Sequence, residues 1–316
     1  MHTNEELDSL LQMSLEDKIT MSKLRITEFY EHYNGNVVVS FSGGKDSTVL
    51  LHLVRSLFPD VKGVFCDTGL EYPEVKNHVK SLENIDIIRP QLSFKQVIEK
   101  YGWTYPSKET AEKIYYAKIG KQWAINHMNG RETDGTPSKF KTRYKRWQFL
   151  VDSPFKISRK CCDIMKKKPF HDYMKQYKGR GGVLVGTMTC ESSIRKQAWL
   201  KTGCNAFNNG KGMPLSFWTE QDVLQYILNE KIQIPAVYGD IIKVGNKLTT
   251  TGEHRTGCMF CPIGIHLEKH PNRFQRMAKT HPKIYDYCMH KLGLGELLDY
   301  VGVDYKPHEE EQLWKE

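Results

Sequence analysis

The sequence has no apolar run approaching the length of a bilayer span, so a transmembrane helix is not expected. Its opening residues, MHTNEELDSLLQMSLEDK, are acidic and lack the basic and apolar regions of a secretion signal. Eight cysteines in 316 residues are too few for a disulfide framework. No internal repeat is visible, which sets aside solenoids and propellers. These absences lead us to expect a soluble, cytoplasmic protein without a membrane partner. Acids are outnumbered, with 37 Asp and Glu against 46 Lys and Arg and a formal net charge of +9. A polyanionic partner, nucleotide or nucleic acid, is the one such a balance favours. With 39% apolar residues the chain can bury a sizeable core.

What is present is organised around Val37–Leu51, VVVSFSGGKDSTVLL. The β-branched run reads as a buried strand, Thr48–Val54 reads as helix, and Ser42-Gly43-Gly44-Lys45-Asp46-Ser47 lies between them. A strand, a glycine turn and a helix N-terminus present backbone N–H groups and the helix dipole to an anion. The glycines allow close backbone approach, Ser42, Ser47 and Thr48 add hydroxyls, and Lys45 adds charge. The bland alternative is a turn that needs glycine only for steric reasons. A Walker A loop is excluded, because Asp46 follows the lysine and Val39 stands where that pattern requires glycine. The stretch resembles the PP-loop of the ATP pyrophosphatases, which hold the β,γ-pyrophosphate of ATP while AMP is transferred.

Further strands are expected at Lys62–Cys66, Ile85–Arg89 and Gly182–Val185, with helices between them, including Glu74–Leu82. This alternation predicts an α/β fold with a doubly wound, mostly parallel sheet. Two strand ends carry polar clusters, Asp67-Thr68-Gly69 and Gly186–Arg195, the latter including Glu191. The carboxyl ends of strands are where such sheets bind ligands. Ser192 as a helix N-cap beside a surface arginine is the plainer reading of the second cluster, and Thr219 with Asp222 has capping-box spacing. Leu7, Leu11, Leu15, Ile19 and Ile26 predict one N-terminal amphipathic helix over 1–33. We therefore divide the chain into that helix, a nucleotide-binding domain over 34–240 with a helical, basic insertion at 92–168, and a C-terminal segment over 241–316. Within the insertion, Lys139–Lys168 holds eleven Lys and Arg against two acids. That run reads either as a solvated face or as an anion site. The aromatic residues Trp103, Tyr105, Tyr115, Tyr116 and Trp123 read as core or helix packing. Beyond 240 the periodicity fades until two helical stretches around Phe274–Met289.

Cys161-Cys162 and Cys258-Met259-Phe260-Cys261 are the two cysteine pairs. A C-x-x-C alone permits zinc, a redox dithiol or an iron–sulfur cluster. Adjacent cysteines have diverging side chains, which suit separate iron corners of a [4Fe–4S] cluster better than one tetrahedral zinc. Zinc and inert buried thiols remain the alternatives. Nearby cations (Arg159, Lys160, Lys166, Lys167, Lys168, His254 and Arg255) are expected to favour thiolates. Cys66, Cys190, Cys204 and Cys288 have no matched partner, and Cys204 is the reserve ligand.

Taken together, residues 30–265 resemble the phosphoadenosine phosphosulfate reductase family. Arg159–Lys166, with its Cys-Cys pair, is similar to the segment that joins a distant C-x-x-C in holding a [4Fe–4S] cluster, with a lysine at the Lys166 position facing it. Asp67–Gly69 resembles the adenosine-side segment and Gly186–Arg195 a segment with a phosphate-contacting arginine. Two departures shift the expectation away from sulfate reduction. The chain ends HEEEQLWKE rather than in an E-C-G-x-H tail, and its PP-loop is intact. The reading is thus an enzyme that binds ATP or another adenine nucleotide on Ser42–Ser47, with Asp67, Thr68, Gly69, Gly186 and Glu191 in the site. Lys45, Asp46 and Arg195 act in catalysis, with Mg²⁺. Adenylation of an acceptor for sulfur transfer would follow, with Cys161, Cys162, Cys258 and Cys261 on the cluster. The implied partners are a nucleic acid or a sulfur-donor protein, and the oligomer allowed for is a homodimer. The other two readings are an adenylyl-sulfate reductase using Cys288 and a non-catalytic nucleotide- or nucleic-acid-binding accessory protein.

Overall fold

The computed structural model describes residues 2–139 and 141–307, with only the backbone at Lys141 and Thr142. The C-terminal HEEEQLWKE, from which one departure above was read, lies outside the described residues, as does the side chain of Lys141. The chain forms two compact units. The first comprises Met1–Asp67, Glu71–Arg89 and Lys168–Gly257, and the second Thr68–Leu70, Pro90–Lys167 and Cys258–Glu316. This differs from the linear division. The N-terminal helices belong to the first unit, and the 92–168 insertion joins residues beyond Gly257 in one body. Contacts between segments remote in sequence set such boundaries, and periodicity does not report them.

The first unit is built on a sheet of β1 (Val37–Ser40), β2 (Lys62–Cys66), β3 (Ile85–Ile88), β4 (Gly182–Val185), β5 (Asn205–Ala206) and β6 (Lys211–Gly212). Its order is β3-β2-β1-β4-β6-β5, parallel except for the antiparallel edge pair β5–β6. Val37, Val38 and Val39 are buried, as expected of a central parallel strand covered on both faces. The chain winds outward from β1 through β2 to β3, then returns to place β4 on the other side of β1. A crevice opens where the winding reverses, outside the carboxyl ends of β1 and β4. A separate hairpin, β7 (Ile241–Val244) and β8 (Lys247–Thr250), falls where no element was expected.

The predicted N-terminal helix is two helices, α1 (Asn4–Gln12) and α2 (Leu15–His32). Thr3 caps the first in a capping box, and Ser14 caps the second by accepting from the Asp17 N–H. The leucine spacing continues across this break, so periodicity alone could not show it. α3 (Lys45–Arg55) and α4 (Pro73–Lys80) follow β1 and β2. α2 is tied to helix Glu220–Asn229 by a buried pair, Lys18 Nζ to Asp222 Oδ2 at 2.7 Å. Trp218 Nε1 also donates to Ser22 Oγ at 2.9 Å, and Ser22 Oγ donates to the Pro214 carbonyl.

The second unit is helical, with helices at Phe94–Tyr101, Lys108–Lys118, Gln122–Met128 and Arg273–Thr280 among others. Trp103 and Tyr105 are buried in it. Some of the basic run pairs with acids of this unit. Arg143 pairs with Glu109 at 2.6 Å, Arg159 with Glu112 at 2.9 Å, and Lys167 with Asp163 at 2.7 Å. Among the described residues no helix is long and apolar enough to cross a membrane.

Candidate functional site

The loop after β1 lies at the crevice of the first unit. Gly43 has φ +73°, and a Cβ there would stand 2.7 Å from Val75 Cγ1 and 2.8 Å from Val79 Cγ2 of α4. Glycine is thus required for both its backbone conformation and its space. α3 starts at Lys45 with Gly44 as its N-cap, a residue with no side chain to satisfy the first amides. The helix dipole and the remaining first-turn amides suit an anion, while the Lys45 N–H is taken by Tyr238 OH. Ser42 and Ser47 brace the loop from within, with their hydroxyls 3.0 Å apart and Ser47 Oγ donating to the Gly44 carbonyl at 2.9 Å. Gly186, at the end of β4, lets that strand approach the loop, since its Cβ would meet the Asp46 carbonyl at 3.1 Å.

Lys45 is held in place on several sides. Its Nζ donates to the His254 carbonyl at 3.1 Å and lies 3.5 Å from Asp46 Oδ1 and 3.3 Å from Glu220 Oε1. Burial pushes the Asp46 carboxyl above the ordinary range, against the pull of Lys45. Its Oδ1 is buried without a hydrogen bond. The Lys45 N–H donates to Tyr238 OH at 3.1 Å, and that hydroxyl lies 2.7 Å from Thr256 Oγ1. The sequence reading passed over Tyr238 and Glu220, as well as Thr256, and gave His254 and Arg255 to the cysteine pair instead of this loop. The last three come from the stretch where periodicity fades. The available signal was its chemistry, a polar Thr-Gly-Glu-His-Arg-Thr-Gly run just before the C-x-x-C.

Arg195 has the helix-cap surroundings that the plainer reading of its cluster described. It sits in helix Ser193–Thr202, whose N-cap Ser192 accepts from the Arg195 N–H, so the plain capping reading holds here. Its guanidinium pairs closely with Glu191, which also faces Arg255 at 3.4 Å and accepts from the Met188 N–H at 3.0 Å. Glu191 is therefore a buried hub for two arginines. Asp67 ends β2 and pairs with Lys76 at 2.9 Å and Arg89 at 3.3 Å. Thr68 and Gly69 fall in the second unit, where the Leu70 carbonyl accepts from the Met259 N–H inside the C-x-x-C.

In the second unit Cys161, Cys162, Cys258 and Cys261 line one cavity, otherwise walled mainly by apolar side chains such as Phe94, Ile98, Trp103 and Phe260. Cys161 and Cys162 end a short helical turn that runs into a π-helical turn, Asp163–Lys167. Such widened turns recur at functional sites. Among the described residues no group of three or more His, Cys, Asp or Glu is arranged to hold a single metal ion. The expectation that cations would favour thiolates fails at Cys161 and Cys261. Burial pushes both thiols up, and the pull of Lys166 on Cys161 and of Arg273 on Cys261 does not outweigh it. Cys204 is no reserve ligand. It lies in the first unit, where Trp199 Nε1 donates to its Sγ at 3.5 Å and Ser216 Oγ lies 3.3 Å away.

An open α/β sheet with a glycine turn at its switch point, in a chain with a four-cysteine cavity, defines a class of α/β proteins with clustered thiols. The phosphoadenosine phosphosulfate reductase domain model matches residues 36–126 and 110–264, and the chain belongs to that family. It is similar to an uncharacterized protein of Methanocaldococcus jannaschii, 25% identical over 266 residues that cover 83% of this chain and 49% of that one. It is also similar to an adenosine 5'-phosphosulfate reductase of Bacillus cereus, 24% identical over 272 residues covering 85% and 92%. The chain spans about half the length of the first curated relatives it matches, 49% and 42%. A crystal structure of phosphoadenylyl-sulfate reductase from Candida auris, in a phosphate complex, aligns over 81% of this chain and 98% of its own, with a TM-score of 0.39 and 17% identity.

Proposed function

We propose that this family member is an ATP pyrophosphatase that adenylates an acceptor for sulfur transfer. The observation that carries the reading is the intact Ser-Gly-Gly-Lys-Asp-Ser loop at the sheet's switch point, where the N-cap Gly44 adds no side-chain bond to the start of α3 and Tyr238 OH accepts from the Lys45 N–H. In this reading the β,γ-phosphates of ATP lie on Ser42–Ser47, with Asp67 of the same unit on the adenosine side. An acceptor oxygen attacks the α-phosphorus while the bond to the leaving pyrophosphate breaks. Lys45 and the arginines around Glu191 offset the charge that develops on pyrophosphate. Mg²⁺ fits the buried Asp46 oxygen that lacks a hydrogen bond.

The four-cysteine cavity supports a [4Fe–4S] group over a single zinc. Its thiols line a cavity with apolar walls, and the adjacent Cys161 and Cys162 suit separate iron corners. Because burial favours the protonated thiols of Cys161 and Cys261, loading would release those protons as the sulfurs bind iron. When bound, such a cluster would carry sulfur or brace the fold. The protein would act in the cytoplasm, with a nucleic acid or sulfur-donor protein as partner and a homodimer as its assembly.

The names of the Bacillus and Staphylococcus relatives favour one competing reading, reduction of adenylyl sulfate. Against it, Cys288, the thiol such a reaction would recruit, is 0% exposed, and burial raises its pKa. Incubating the purified protein with labelled ATP and, separately, with adenylyl sulfate tests both. Pyrophosphate release upholds our reading, whereas thiol-dependent sulfite release without it overturns it. Binding without turnover would instead make the chain an accessory protein. Anaerobically purified protein should show a broad visible absorption band, and Cys258→Ser should abolish it.

A further inference from the structure

A second cavity in the second unit, of about 160 Å³, is bordered by Tyr105, Trp147, His266, Asn272 and residues Val301–Asp304. It holds none of the cysteines. Two of its walls carry polar atoms that the fold leaves unsatisfied. Tyr105 is 0% exposed, and its hydroxyl has no hydrogen-bond partner. Both ring nitrogens of His266 are also buried and unpartnered. Leaving such groups unpaired is unfavourable, so three around one cavity point to an occupant. Neighbouring polar groups are already engaged. Glu268 is clamped by Arg273, His270 Nδ1 lies 2.8 Å from Gln275 Oε1, and Asn272 Nδ2 donates to the Asp304 carbonyl at 2.6 Å.

The unsatisfied atoms define the ligand's chemistry. Burial and the nearby Arg146 charge lower the His266 pKa, and the neutral ring presents one donor and one acceptor. A matching ligand presents the reverse pair, as an amide or amidine edge does. An oxyanion offers acceptors only and would face the carboxylates of Glu268 and Asp304 in the same walls. Aromatic rings extend from the cavity to the surface. Tyr105 and Trp147 are 5.4 Å apart, Trp147 and Phe149 6.3 Å, and Phe149 and Tyr300 6.0 Å. Phe149 and Tyr300 are 42% and 46% exposed, and the Arg146 guanidinium lies 5.0 Å from the Trp147 ring centre. Exposed aromatic faces interleaved with cations are the platform on which unstacked bases rest.

We propose that the cavity walled by Tyr105, Trp147 and His266 binds a nucleobase, with Phe149, Tyr300 and Arg146 supporting the single strand that presents it. The inference does not rest on the loop chemistry, because the cavity is built wholly within the second unit and its binding is read without ATP. Calorimetry with the four common nucleosides, and anisotropy with a labelled single-stranded oligonucleotide of about ten nucleotides, would test it on the full chain. At least one nucleoside should bind, and His266→Phe and Tyr105→Phe should each weaken it about tenfold by removing hydrogen bonds. Both variants should melt no lower than the parent, since each removes an unsatisfied buried group. The oligonucleotide should bind more tightly than the nucleoside. Phe149→Ala and Tyr300→Ala should weaken the oligonucleotide alone, about five- to a hundredfold. Nucleoside binding with no oligonucleotide advantage would assign the cavity to a free nucleoside and overturn the strand platform. Absence of both binding events, unchanged affinity in His266→Phe, or a lower melting temperature in Tyr105→Phe would overturn the site itself.

Discussion

Gly43 carries the sharpest residue-level demand in the first unit, a left-handed φ and a neighbouring helix that fills the space of a Cβ. Gly43→Ala should therefore lower stability by about 1–3 kcal/mol and abolish pyrophosphate release, as read by thermal melting and a release assay. His78 sets a pH dependence. It is buried beneath α3, 3.5 Å from Thr48 Oγ1, and burial holds its pKa below the ordinary imidazole value. The unfolded chain then binds a proton that the folded chain resists. Stability is therefore retained above about pH 6.5 and declines as pH falls through that value. Denaturant midpoints at about pH 7.5 and about pH 5.5 should differ less in His78→Gln than in the parent. At this scale Ser42–Ser47 was legible in the sequence because its residue types are themselves the chemistry. Tyr238 and Thr256 were not, because their part depends on lying beside Lys45, some two hundred positions away in the chain.

Elements in this protein are joined by a few buried polar ties. Lys18 on α2 and Asp222 on helix Glu220–Asn229 form such a tie, with side-chain exposures of 3% and 15%. Asp222 also completes the capping box with Thr219. Lys18→Met would leave that carboxylate without its cation, and we expect a loss of about 3 kcal/mol, measured by chemical denaturation. The expected strands fall at or within a residue of their observed bounds, because a short β-branched run that ends at glycine or polar residues signals its own termini. The N-terminal region was read as one helix because Leu11 and Leu15 keep the helical spacing across the break at Met13-Ser14. The hairpin β7–β8 escaped notice because β7 is exposed beyond Ile241 and β8 buries only Thr250, so no alternating buried face marks it.

For the molecule as a whole, the +9 excess favours polyanions without choosing among them. Part of the local basic run, Arg143, Arg159 and Lys167 among it, is paired with acids, and the rest adds to the general field. Binding of a single-stranded oligonucleotide should weaken at least tenfold between about 50 mM and 200 mM salt. Binding of an uncharged nucleoside should barely change over that range. Equal salt dependence of the two, in parallel titrations, would contradict this assignment of charge.

The sequence alone determined the α/β class, the anion loop and the two cysteine pairs, since each depends on residue types at short spacing. Tertiary structure decided what those spacings cannot express. It brought Cys161-Cys162 and the distant Cys258–Cys261 to one cavity, joined Arg195 to Glu191, and moved Cys204 away from the thiol set. It also left Tyr105 and His266 buried without partners. Burial and contact between remote segments belong to the folded chain, because they depend on which surfaces meet.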